Sequence, residues 1–124
     1  MPVRLAPERN TSMLQPPPLA PGVRVLLVVA TLPAKPETRE ELHALLADLA
    51  KTSRGDAGCL SYGFYADVED PTVFVSVETW DAQESLDAHM QQPHVTAGLG
   101  KLGDLLGGAP SIMVHDVAST TKAM

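Results

Sequence analysis

Aromatic side chains are scarce in this chain. There are five in 124 residues: Tyr62, Phe64, Tyr65, Phe74 and Trp80. All five fall between positions 62 and 80, so the middle of the chain is where a pocket is to be sought. Cysteine is scarcer still. The single Cys59 cannot cross-link its own domain, which excludes a disulfide scaffold and makes the reducing cytoplasm the default compartment. Basic runs are missing: nine Lys and Arg against fifteen Asp and Glu leave a formal charge of −6. A nucleic-acid partner needs a positive footprint, and none is present.

Long apolar runs are missing as well. The longest, within residues 23–30, is far too short to span a bilayer, so no membrane partner is expected. No apolar stretch sits directly behind a basic segment near the start, so no signal peptide is evident and a cytoplasmic location is expected. Phosphate loops, dinucleotide fingerprints and linear Ser-His-Asp sets do not occur.

What is present organises into one small domain with a leader. Residues 1–22 carry six of the eleven prolines, three of them consecutive at Pro16, Pro17 and Pro18. Such a stretch favours extended backbone and reads either as a tail or as an arm lying across a partner subunit. The domain is expected over residues 23–118, with a flexible end over 119–124. Its first strand, Arg24 to Leu32, is apolar on both faces, as in a central strand. Pro36 suits the first turn of a helix whose apolar stripe is Leu42, Leu45, Leu46, Leu49 and Ala50. Gly55 is the expected C-cap of that helix, and Gly58 marks the turn into a second strand, Cys59 to Asp67.

In the second strand, Leu60, Tyr62, Phe64 and Ala66 share one face and Cys59, Ser61, Gly63 and Tyr65 the other. The third strand, Thr72 to Trp80, sets Val73, Val75, Val77 and Thr79 against Phe74, Ser76, Glu78 and Trp80. The valine side reads as sheet core and the mixed side as pocket lining. Asp81 with Glu84 forms a capping box for a short helix ending near Met90. Pro93 opens another helix, weakened by Gly98, Gly100 and Gly103, and a last strand covers Ser111 to Val117. The order β-α-β-β-α(α)-β is the ferredoxin-like split arrangement, an α+β fold with an antiparallel sheet and helices on one face. The other face needs a cover, and a two-fold homodimer closed sheet on sheet would supply it.

The segment Ala57-Gly58-Cys59-Leu60-Ser61-Tyr62, then Val77-Glu78-Thr79-Trp80-Asp81, then Leu86-Asp87-Ala88-His89 and Pro93-His94-Val95, resembles the antibiotic-biosynthesis (quinol-type) monooxygenase family. The likeness extends weakly from Val25 to Val117; residues before Val23 have no counterpart in the family pattern. It implies a dimeric α/β barrel with one pocket per subunit. Family members include cofactor-independent oxygenases of quinols and polyketide phenols, haem-degrading enzymes and an isomerase. The haem-degrading branch carries a first-strand asparagine, and residues 25–31 contain none. An isomerase of a phosphorylated substrate needs clustered cations, whereas Arg4, Arg24, Arg39 and Arg54 are dispersed.

The functional reading takes His94, His89 and Glu78 as catalytic residues, with Phe74, Tyr62, Tyr65 and Trp80 around the substrate; the resemblance implies a pocket tryptophan at Trp80. Residue by residue, the plainer alternatives stand beside these roles. His89 could face the last turn's carbonyls, His94 could sit in a helix's first turn, and Trp80 could be core. Glu78 on a sheet would need a partner and could hold an imidazole. Tyr62 and Tyr65 point to opposite faces, so at most one lines a given pocket. Five residues is poor spacing for two ligands on one helix, and a third ligand would have to be Glu78 or His115 by coincidence of folding. No metal is expected. The implied chemistry is oxidation of a quinol or polycyclic phenol by O₂ with no cofactor. A non-catalytic small-molecule-binding dimer of the same fold is the alternative.

Overall fold

A computed structural model describes residues 24–124 of the chain. The proline-rich segment of residues 1–22 lies outside the described residues. Strand β1 (Val25–Pro33) leads through a single 3₁₀ turn (Pro36–Thr38) into helix α1 (Arg39–Ser53). Strands β2 (Cys59–Ala66) and β3 (Val73–Trp80) follow, then helices α2 (Gln83–Met90) and α3 (Pro93–Leu105), and strand β4 (Ser111–Val117). The four strands form one antiparallel sheet in the order β2-β3-β1-β4. This is the α+β, ferredoxin-like arrangement, and the central place of β1 accounts for its apolar residues on both faces.

The helices cover the sheet face that carries Val28, Ala30 and Leu32 of β1. Two apolar groups fill the space between. Leu32, Leu42, Leu46, Phe74 and Leu105 pack at one end. Val28, Ala50, Tyr62, Trp80 and Leu86 pack at the other. Thr38 ties the layers together by donating its hydroxyl to the carbonyl of Leu105 at 2.7 Å, where α3 ends beside the start of α1.

Four local expectations are corrected. The valine side of β3 is not the core. Phe74, Ser76, Glu78 and Trp80 are buried under the helices, while Val73, Val75 and Val77 are only half-buried on the opposite face. Alternation separates two faces but does not say which one the helices take. The register of β2 against β3 shifts between Cys59 and Ser61, which pairs Cys59 with Trp80 and turns it towards the helices, away from the side of Ser61. Gly58, with φ +81°, is the left-handed turn residue, and Gly55 is not. Asp81 does not cap α2: Ala82 holds that position with no side-chain cap, and Asp81 accepts a hydrogen bond from Ser85 at 2.5 Å.

Candidate active site

A cavity of about 270 Å³ lies between the sheet and the helices. Val28, Ala30 and Leu32 form its floor with Tyr62 and Phe64 of β2, and Ile112 and Val114 extend it along β4. Leu45, Leu46 and Leu49 of α1 and Val95, Leu99 and Leu102 of α3 face them from above. The walls are therefore mostly aliphatic. Polar groups enter from α2 and β3, as Asp87, His89 and Glu78. Such a volume falls just below the range of about 300–1,000 Å³ usual for drug-sized ligands, so the cavity suits a compact molecule.

Glu78 is held from both sides. The Ser76 hydroxyl donates to its Oε2 at 2.9 Å and the Trp80 indole N–H to its Oε1 at 3.0 Å. Ser76 in turn accepts the Ala30 amide at 3.1 Å, which locks the rotamer. Burial raises the Glu78 pKa above the ordinary value near 4.5, against the opposing pull of these two donors and of His89. Burial also raises Tyr62, with the Glu78 charge adding to the shift. Cys59 is pushed up to about 12, again by burial first and then by Glu78, so its thiol is a poor nucleophile.

The imidazoles are organised by a residue that the sequence reading did not pick. Asp56 Oδ2 lies 2.7 Å from His89 Nδ1 and 2.9 Å from His94 Nε2. A carboxylate only accepts, so each of those nitrogens carries a proton. This fixes the neutral tautomer of His89 with Nε2 as its free lone pair. The His89 ring, 3% exposed, stacks on Trp80 at 4.6 Å between centroids, tilted by 40°. Asp56 is placed by the turn after α1. Arg54 Nε donates to the Tyr62 carbonyl at 2.9 Å, the Asp56 amide bonds to Ser53, and the Cys59 amide bonds back to Asp56. Gly58 completes the turn with its left-handed φ, and a β-carbon there would collide with Ser85 and Asp81.

The structure thus brings together His89, His94, Glu78, Trp80 and Tyr62 but assigns them different positions. His89, Glu78 and Tyr62 line the cavity. His94, 20% exposed, stands behind His89 across Asp56. Trp80 is fully buried and reaches the cavity through the residues packed on it, Glu78, His89 and Tyr62. Phe74 is core, packed by the Arg39 guanidinium 5.1 Å from its centroid, and Tyr65 is 42% exposed outside the cavity. Two expectations fall with this geometry. Glu78 does not hold an imidazole: its oxygens accept from Ser76 and Trp80, and it is Asp56 that accepts from both histidines. Trp80 and Phe74 do not form a stacking platform for a ligand.

The spacing argument against shared ligation by the two histidines also fails. They sit on different helices, and the bend between α2 and α3 turns both onto one carboxylate. The missed signal was a short acid two residues before the turn glycine, one position ahead of the motif that begins at Ala57.

The sequence model of one family, described as antibiotic biosynthesis monooxygenase, matches residues 25–100. The chain belongs to that family. An uncharacterized protein of Synechocystis is 33% identical over 95 residues, 77% of this chain, and the match spans 65% of that relative's length. A Mycobacterium tuberculosis protein provisionally named a monooxygenase is 32% identical over 79 residues, 64% of this chain and 77% of its own. Among solved structures, one from Deinococcus radiodurans, provisionally named an antibiotic biosynthesis monooxygenase, has a TM-score of 0.75 at 26% identity. It covers 80% of this chain and 98% of its own. A conserved protein of Methanosarcina mazei has a TM-score of 0.72 at 28% identity, covering 76% and 93%. The resemblance drawn from the residues is borne out, and so is the α+β, ferredoxin-like fold of the single chain.

Proposed function

We propose that this protein is a cofactor-independent monooxygenase of a compact quinol or phenol, with His89 as the base and Asp56 as the residue that orients it. The carrying observation is the Asp56–His89 pair beside a mostly aliphatic cavity. His89 Nε2 takes the phenolic proton, and Asp56 stabilises the imidazolium through Nδ1–H. The resulting anion passes an electron to O₂, and recombination forms a C–O bond. Loss of water then leaves one oxygen atom in the product. Four electrons reduce O₂, and all come from the substrate: a hydroquinone plus O₂ gives a hydroxyquinone plus water. The imidazolium Nε2–H returns that proton to the departing oxygen, so His89 serves first as base and then as acid, and Glu78, its pKa raised by burial, stands on the same cavity wall. The aliphatic walls keep water from the anion.

The size of the cavity favours one- or two-ring substrates over larger polycyclic ones. Trp80 acts as a positioning residue, stacked on the base and donating its indole N–H to Glu78. The working unit in this reading is a cytoplasmic homodimer. Leu27, Val29, Val75 and Val77, half-buried on the face away from the helices, are the residues that a second copy would cover. Among the described residues no helix is long and apolar enough to cross a membrane.

The test is oxygen uptake by the full chain with small hydroquinones under ¹⁸O₂. Uptake above the autoxidation blank, with one labelled atom per product, supports the reading. Saturable binding of the same compounds with uptake equal to the blank supports the non-catalytic binding module, whose sign here is the fully packed Trp80.

A further inference from the structure

We propose that Asp56, His89 and His94 also form a binding site for a first-row divalent transition metal, and that the ion turns the base off. The ligand atoms converge from three separate places: the turn after α1, the last turn of α2 and the first turn of α3. All three lie within 4.8 Å of one another. Two imidazoles and one carboxylate are a donor set suited to octahedral ions such as Fe(II), Co(II) or Ni(II). Bonds of about 2.1 Å put neighbouring octahedral ligands about 3.0 Å apart and tetrahedral ligands about 3.4 Å apart. Two of the three separations, from Asp56 Oδ2 to the two nitrogens, are 2.7 and 2.9 Å, nearer the octahedral value, and the two nitrogens lie within 4.8 Å of each other.

Preorganisation supports the site. The ring of His89 is clamped on Trp80, and Asp56 is fixed by its turn. The carboxylate offsets part of the ion's charge. Side-chain exposures of 20% for His94 and 11% for Asp56 leave a way in from solvent, and neither residue lines the cavity.

Occupancy reverses the chemistry of His89. Without the ion, Nδ1 carries the proton and Nε2 is the acceptor. With Nδ1 bound to the ion, the neutral ring keeps its proton on Nε2, which becomes a donor and can no longer take the substrate's proton. Base and ligand are mutually exclusive roles, so the metal would inhibit. This regulatory part rests on the oxygenase reading above; the binding site does not.

The experiment titrates Co(II) into metal-stripped full-length protein, followed by its d–d absorption, and Zn(II) into ¹⁵N-labelled protein, followed by imidazole NMR. One Co(II) per chain is expected, weakened at least tenfold in Asp56→Asn and in His94→Gln. In the unmodified protein, Zn(II) should move the His89 proton from Nδ1 to Nε2, a readout that does not depend on either variant folding. Equal binding in His94→Gln, or an Nδ1 proton unchanged at saturating Zn(II), overturns the site. Quinol-dependent oxygen uptake should fall at least tenfold with metal and return with EDTA. Metal binding with that NMR change but no uptake in the stripped protein sinks the oxygenase reading and leaves the site standing. Uptake that metal leaves unchanged, despite binding, sinks the switch.

Discussion

The two faces of the single sheet are built from the same strands and differ in almost every physical respect. Under the helices, β3 presents Phe74, Ser76, Glu78 and Trp80, all buried, with each polar atom of Ser76, Glu78 and Trp80 matched to a partner. Away from the helices, the same strand presents Val73, Val75 and Val77, half-buried and without polar function. On that face Ser61 and Thr79 satisfy each other through hydroxyls 2.5 Å apart. One face is thus specified by hydrogen-bond geometry and tolerates few changes in chemistry. The other is specified by apolar area and shape. Reading the first as the site and the second as the surface for self-association assigns different consequences to mutations only one residue apart in sequence.

The largest effect is expected on the valine face. Val77→Asp would put a charge where the proposed partner sheet packs, at a cost on the order of 3–5 kcal/mol. Light scattering should show aggregation or unfolding in place of a clean monomer. A well-behaved 13 kDa species for the unmodified protein at micromolar concentration would break the comparison, because that face would then need no cover.

Next comes the helix side. Asp56→Asn removes the carboxylate's charge and lets an amide N–H₂ face the imidazoles, which no longer fixes the His89 tautomer, so kcat should fall about 10²–10⁴-fold with KM changed by no more than about twofold. A KM effect alone would make Asp56 a binding residue, contrary to the orienting role. Glu78→Gln is smaller and is read through pH. Burial raises the folded pKa of Glu78 above 4.5, so below that value the group is protonated in both folded and unfolded chains. As pH rises past 4.5 the unfolded chain ionises first, and stability falls until the folded pKa is passed. The melting temperature of Glu78→Gln should lack this decline, so the variant should gain on the parent as pH rises through that window. Parallel curves would mean that the carboxyl is not perturbed.

Much of the fold was legible because periodicity and punctuation act locally. The apolar first strand, the stripe through Leu42, Leu46 and Ala50, and Pro36 and Pro93 at helix starts each act within a few residues. The bulge beside Leu60, the choice of covered face and the true turn glycine depend on neighbours across the sheet, which periodicity does not report. The site divided in the same way. His89, Glu78 and Trp80 stand out as residue types, and the structure gathers them at one end of the domain. Asp56 did not stand out, because an acid in a turn after a helix is ordinary until two histidines from 33 and 38 positions later arrive beside it. Phe74 and Tyr65 were drawn in by the rarity of aromatics, which says where large side chains are and not what they face.

The smallest effect tests the frame around the pocket. Gly100 lies inside α3, and a β-carbon there would meet nothing within 4 Å. Gly100→Ala should stabilise by about 0.5–1 kcal/mol, a rise of roughly 2–8 °C in melting temperature, and leave turnover unchanged. Destabilisation would show that α3 needs its glycines for a contact outside the single chain.

The central claim is that His89, oriented by Asp56, removes the proton that starts the reaction with O₂. The most direct measurement is the initial rate of oxygen uptake with a small hydroquinone for the parent protein and for His89→Gln, at matched near-ultraviolet circular dichroism and matched assembly size. The account predicts uptake above the blank for the parent and a fall to the blank for His89→Gln. Uptake within about twofold of the parent, where loss of a general base should cost about 10²-fold or more, would contradict it.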